Sequence, residues 1–284
     1  MYILPELAFY TKAFNDFTYF NKVYLDIAFN KNNTFVINRE IINFIEGSLD
    51  YDNRDYFASF LKEIYDNDRY EKVEALDIND YEESCLNYYE ASNKEFLIPI
   101  KNSDNSKFNK PQFKNILNMS SSDEYDNILK ELLTTSYIQV TYQDFKSNKD
   151  IDSFVENLFA IPKFINEVHC FNRDISTRFI EKLKGKRINY FALIKHPIRN
   201  YINEYRQTKN EIKHKVSGKF KLFTITDRTL IHERKIFINN LCINFDNAFE
   251  NILIEEPTWE ISITYSQNKF ENWKLKTKEF RPLN

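Results

Sequence analysis

Glycine is nearly missing from this chain: only Gly47, Gly185 and Gly218 occur in 284 residues. A Walker loop and a dinucleotide fingerprint both need clustered glycines, so that backbone can approach phosphate closely. Neither can be built here. Cysteine is almost as scarce. Cys85, Cys170 and Cys242 are odd in number and far apart, which suits a reducing compartment without a disulfide framework. No Cys-x-x-Cys or His-Glu-x-x-His occurs, so neither a structural nor a catalytic zinc is expected, nor any other cofactor. No apolar run approaches the ~18 residues of a membrane span. The opening Met1-Tyr2-Ile3-Leu4-Pro5-Glu6 lacks the basic and long apolar regions of a signal peptide. The expected location is cytoplasmic.

What is abundant is Ile, Leu, Phe, Tyr and charge. A chain of this length forms one or two domains and can bury a core without staples. The net charge of −3 hides an asymmetry. Residues 1–131 carry 24 Asp/Glu and 14 Lys/Arg, whereas residues 132–284 carry 18 and 25. Within 182–235 there are 15 Lys/Arg against 4 Asp/Glu. A local field of one sign attracts polyanions or anionic surfaces, although charge runs also occur as plain solvated faces.

The first hundred residues mix strand and helix signals. Residues 23–29 and 34–37, separated by Asn30-Lys31-Asn32-Asn33, read as a hairpin. Residues 39–48 and 54–65 place apolar residues at helical spacing. Residues 66–91 are acidic and expected to be exposed, and 96–100 reads as a short strand. Polar stretches at 101–111 and 118–126 suggest loops or a linker, and Ser121 with Glu124 reads as a capping box. This places an acidic α+β region at 1–110, expected to bind a protein partner, and a second domain at 119–284. In that second part, helices are expected at 152–164, 175–183 and 198–215. Strands are expected at 167–171, 188–194, 220–226, 231–238, 241–245 and 259–265. Such alternation indicates an α/β layer fold.

His232 and Arg234 stand two apart in a strand pattern, so an imidazole and a guanidinium share one face. Arginine offers a planar fork for phosphate oxygens, and histidine a donor or nucleophile. The run His232-Glu233-Arg234-Lys235-Ile236-Phe237-Ile238-Asn239 keeps the register of the phospholipase D half-motif, with Arg for Lys and Asn for Asp. The stretch from about 150 to 250, from Phe154-Val155-Glu156 through Asn172-Arg173-Asp174 to Asp246-Asn247-Ala248-Phe249, resembles the phospholipase D-like domain of microtubule-interacting-and-trafficking domain proteins and its bacterial relatives. That resemblance implies an α/β domain with a mixed sheet and flanking helices. It also implies phosphate recognition, and in bacteria a place in multi-component antiviral defence. Phosphodiester cleavage in this superfamily uses two such motifs, one histidine attacking phosphorus and the other protonating the leaving group. One half-site is present, so catalysis through His232, Arg234 and Asn239 requires a homodimer.

The leading expectation is therefore a non-catalytic subunit that recognises nucleic acid or another phosphorylated ligand. Its binding residues are His232 and Arg234 together with Lys184, Lys186, Arg187 and Arg206. The lysines flank Gly185 beside Lys182, a pattern that also marks a helix end. Arg206 shares the basic helix with Tyr201 and Tyr205, which can stack on bases or pack at a core edge. A competing nuclease reading uses the opposite strand face, with Asp227 and Glu233 holding Mg²⁺ and Lys235 assisting water. A third reading is an anionic-membrane module, implied by the eukaryotic relatives, but no Trp-rich amphipathic basic helix supports it.

Overall fold

In the computed structural model, β1 (Tyr2–Pro5) is the middle strand of a five-stranded parallel sheet. Around it the chain adds α1 (Leu7–Asn15), α2 (Lys22–Phe29), β2 (Thr34–Ile37), α3 (Arg39–Ser48), α4 (Arg54–Asp66), β3 (Tyr70–Lys72), α5 (Tyr81–Ala91), β4 (Leu97–Lys101), β5 (Leu117–Asn118) and α6 (Glu124–Thr135). The strand order is β3-β2-β1-β4-β5, every pairing parallel, so this region is α/β where α+β was expected. The description covers residues 1–18, 21–193, 198–216, 219–225, 234–249 and 260–283.

Aromatic packing holds this first unit. Tyr10, Phe14, Phe35, Phe57 and Phe60 are fully or almost fully buried and meet ring to ring. Each such side chain contributes about 1.5–3 kcal/mol. The expected hairpin at 23–37 is a helix followed by a strand. Tyr24, Ile27 and Ala28 are buried at helical spacing, while Phe29, which alternation would have turned inward, is 41% exposed. Asn33 ties the connection down, its Nδ2 donating to Ile27 O at 2.9 Å and Leu133 O at 2.7 Å. The acidic stretch at 66–91 is not all surface. It supplies β3 and α5, and α5 buries Tyr81, Cys85, Leu86 and Tyr89. The capping box is also displaced. Asp123 stands at the N-cap of α6, and the Ser121 hydroxyl accepts from Asp123 N instead.

The unit boundary falls at Ser136/Tyr137, later than the expected break at 110–119. One unit comprises 1–136 with 160–164, the other 137–159 with 165–284. The asparagine bonds to Leu133 explain the shift, because they fasten α6 to α2 and the start of β2.

The second unit contains β6 (Tyr137–Thr141), α7 (Asn148–Ala160), β7 (Glu167–Asn172), β8 (Arg187–Leu193), α8 (Ile198–Lys215), β9 (Phe220–Ile225), β10 (Arg234–Ile238), β11 (Leu241–Phe245), β12 (Glu260–Tyr265) and α9 (Gln267–Thr277). Its seven-stranded mixed sheet runs β6-β12-β11-β10-β7-β8-β9. β7, β8 and β9 are parallel, with α8 as the crossover between the last two. From β10 to β6 the pairings are antiparallel. The helix expected at 175–183 shrinks to one 3-10 turn, Ile180–Leu183, preceded by Phe179 at φ 63. Tyr190 holds this segment, its hydroxyl donating to Asp174 O at 2.8 Å and accepting from Ser176 N at 3.1 Å.

One sheet face packs against α9 through Phe171, Phe191, Phe237, Phe270 and Trp273. The edge strand β9 is partly covered by the chain's last described residues. Phe223 and Pro282 form an antiparallel bridge, and Leu283 N donates to Leu222 O at 2.7 Å. Among the described residues, no helix is long and apolar enough to cross a membrane.

Candidate functional site

Strand direction separates the anion-binding residues expected from sequence. β10 runs antiparallel to β7, with Lys235 opposite Phe171 and Ile238 opposite Val168. Arg234 therefore begins β10 beside the carboxyl end of β7. Arg187 begins β8, at the amino end of the parallel strands. At ~3.3 Å per residue the length of β8 separates these two ends by roughly 20 Å.

The carboxyl end holds Arg234. His232 lies outside the described residues, as do Asp227 and Glu233 of the competing metal reading. Arg234 Nη1 donates to Asp246 O at 2.5 Å. Extending the register by one position sets Arg234 opposite Asn172, whose side chain shares its face of the sheet. Asn172 is fully buried; its Oδ1 accepts from Arg173 N at 3.0 Å, and its Nδ2 has no partner among the described residues. A buried amide left in that state costs about 1–3 kcal/mol. Asn172 thus joins Arg234 as a donor at the carboxyl end. In the sequence it was one polar residue ending a strand, without its own signal. Lys235 faces the other way, as alternation requires. Asn239 is not part of this end. It sits in the turn that joins β10 to β11, at φ 46, across the length of β10 from Arg234. A two-residue hairpin demands such a left-handed residue, and asparagine tolerates it. Among the described residues no group of three His, Cys, Asp or Glu could hold a metal ion.

The amino end is strongly basic. Gly185 adopts φ +82, a conformation that suits a residue without Cβ, and so turns the chain between Lys184 and Lys186 into β8. A cleft of about 470 Å³ is lined by Lys186, Arg187 and Lys219 with Ile165, Asn166 and Gly185. A second, of about 590 Å³, is lined by Arg187, Lys209, Lys213, Lys219, Phe220 and Lys221. The two share Arg187 and Lys219, so six cations border one continuous surface that no carboxylate lines among the described residues. Arg206, Lys209 and Lys213 follow helical spacing along one side of α8. Lysines 209, 213, 219 and 221 were hidden inside a charge count. Only the helix period of α8 and the alternation around Phe220 could have grouped them.

Local ion pairs sort the remaining cations. Lys182 bonds Glu156, and Lys215 pairs with Glu181 at 3.0 Å, so both are neutralised. Arg187 lies 3.8 Å from Glu167 and remains 61% exposed. Among the described residues Lys184, Lys186, Lys213, Lys219 and Lys221 have no carboxylate partner. Tyr205 is a core residue, its hydroxyl donating to Leu193 O at 2.8 Å. Beneath the basic end, His169 Nε2 meets Glu167 Oε1 at 2.8 Å. Burial holds its pKa below the ordinary 6.5, outweighing the Glu167 carboxylate, which raises it.

No protein-family model matches the sequence, and no curated protein does. Solved structures resemble the fold at low similarity. The phospholipase D family member Nuc from Salmonella typhimurium is 8% identical, over 51% of this chain and 96% of that one, with a TM-score of 0.35. Phosphatidylserine synthase from Haemophilus influenzae Rd KW20 is 10% identical over 52% of this chain and 39% of its own, with a TM-score of 0.36. TrmBL2, an archaeal chromatin protein that binds DNA, is 11% identical over 50% of each chain, with a TM-score of 0.31. This chain thus spans half or less of the latter two.

Proposed function

We propose that the second unit is a non-catalytic phosphate-backbone reader that binds nucleic acid through the amino end of its parallel strands. The observation that carries this reading is the continuous surface bordered by Lys186, Arg187, Lys209, Lys213, Lys219 and Lys221, without a carboxylate among its described lining residues. Several cations without a carboxylate partner among the described residues, held on strand starts and one helix side, suit a row of phosphates. Phosphate contacts of this kind give affinity and register but little sequence preference. Phe220 is buried, which leaves no aromatic platform for base stacking among the described cleft residues. A duplex or structured backbone therefore fits better than splayed bases.

The test is fluorescence anisotropy of the purified chain with labelled duplex and single-stranded DNA and RNA at low salt. Binding to duplexes is expected, and Arg187→Glu with Lys219→Glu should abolish it. Incubation with the same substrates, with and without Mg²⁺, should leave them intact. Absence of binding at low salt would remove the reading. Cleavage lost in His232→Ala would assign the carboxyl end a phosphodiesterase role instead.

A further inference from the structure

A cleft of about 540 Å³ lies within the second unit, between α9 and the sheet face opposite Arg234. Its floor is set by register. Lys235 pairs with Asn244, and Asn244 with Ser262, so an ammonium, an amide and a hydroxyl stand side by side across β10, β11 and β12. One step further along the same face stand Phe237 and Cys242, which close the core. From above, α9 contributes Lys269, Asn272, Trp273 and Lys276 at helical spacing. The lining thus carries three ammonium groups against one carboxylate, that of Asp246.

The polar atoms of this cleft are arranged around one another. Asn244 Nδ2 donates to Ser262 Oγ at 3.2 Å, and Lys269 Nζ donates to Thr264 Oγ1 at 3.3 Å. Lys274 instead pairs with Glu271 at 3.3 Å and lies over the Phe270 ring, outside the cleft lining. Lys276 has no carboxylate partner among the described residues. Trp273 is 7% exposed, stacked on Phe237 and edge-on to Phe171. Its buried indole N–H has no acceptor among the described residues. Phenylalanine would fill an apolar position without that cost, so Trp273 brings a polar atom into the core that backs the cleft.

We infer that this cleft binds a small phosphorylated ligand of nucleotide size. The volume lies within the roughly 300–1,000 Å³ of small-molecule pockets. Ammonium groups from two elements, backed by amide and hydroxyl donors, match the many acceptor oxygens of a phosphate or diphosphate group. A divalent cation would meet three like charges and one carboxylate. The site shares no lining residue with the basic clefts around Arg187. A bound small ligand and a bound nucleic-acid backbone would therefore use separate residues.

The chain has two tryptophans, Trp259 and Trp273, so Trp259→Phe leaves Trp273 as sole reporter. That protein is titrated with ADP and, separately, with inorganic pyrophosphate, against sodium chloride at matched ionic strength. A saturable change in emission is expected with at least one probe and not with chloride. Adding Lys269→Ala and Lys276→Ala should weaken binding by about tenfold or more. Asn272→Asp, an exposed change that introduces a repelling carboxylate, should weaken it as well. Arg187→Ala with Lys219→Ala should leave it unchanged. All three changes on α9 are at exposed positions, and circular dichroism is used to check that each variant folds. No saturable response up to about 10 mM of either probe overturns the proposal, since weaker binding carries no specificity. So does affinity undiminished in the lysine variant, or lost equally in the Arg187/Lys219 variant.

Discussion

Replacing Arg187, Lys213 and Lys219 by alanine removes half of the six cations that border the basic clefts. For a protein that neutralises Z phosphates of duplex DNA, the logarithm of affinity falls with that of salt with a slope of about −0.9Z. Six contacts give a slope of about −5.4, so affinity drops about 2,000-fold between 50 and 200 mM salt. Three contacts give about −2.7, and the same change in salt costs only about 40-fold. Against a single strand the coefficient is about 0.7 and both slopes shrink in proportion. The assay is anisotropy of a labelled duplex at five or so salt concentrations, run for the parent chain, the triple variant and Arg234→Ala. The triple variant should bind more weakly at low salt and with about half the slope. Arg234→Ala, at the far end of the sheet, should leave the slope unchanged. An unchanged slope in the triple variant refutes the assignment of phosphate contacts to the amino end. A fall in slope with Arg234→Ala would move the backbone to the carboxyl end.

The remaining predictions concern the frame around these surfaces. Tyr190→Phe removes the hydroxyl between Asp174 O and Ser176 N and should destabilise the chain by about 1–3 kcal/mol in denaturant unfolding. Asn239→Gly should be neutral or stabilising by up to about 1 kcal/mol and leave nucleic-acid binding intact, because the turn needs a left-handed backbone there. Lost binding with unchanged stability would show that the Asn239 side chain has a site role. His169 titrates below its ordinary value in the native state, so the unfolded chain takes up its proton first as pH falls. Stability should therefore be full above about pH 6.5 and decline below it, less steeply in His169→Gln; an equal decline in both would refute this.

Much of the second unit was legible because its strands are short apolar runs bounded by polar turns. Strands at 167–171, 188–194 and 241–245 and the helix at 198–215 appear within a residue of where pattern placed them. Alternation also separated Arg234 from Lys235, since a strand offers two faces. The failures have a common physical cause. At 23–29 the apolar residues satisfy both periods, and only burial of Tyr24 with Ile27 and Ala28 selects the helix. At 175–183 the spacing is helical, but the Tyr190 hydroxyl holds an irregular path that local pattern cannot reveal. The candidate site shows the same limit at longer range. Lys184, Lys186 and Arg187 are separated from Arg234 by strand direction, which depends on pairing partners far along the chain. Asn239 matched a motif by count alone, yet the hairpin after Ile238 carries it to the opposite end.

The short pairing of Phe223 with Pro282 and of Leu283 with Leu222 has a consequence for solution behaviour. β9 ends the sheet, and an uncovered edge strand is a template on which another chain can add its own backbone hydrogen bonds. The covering residues include a proline, which has no N–H to offer an incoming strand. Lys219 and Lys221, which border the basic clefts, also guard this edge through charge. Neutralising them, or trimming the last residues, would therefore remove protection against aggregation as well as affinity for polyanions. Gatekeeping against self-association and attraction of a charged partner rest here on the same two side chains.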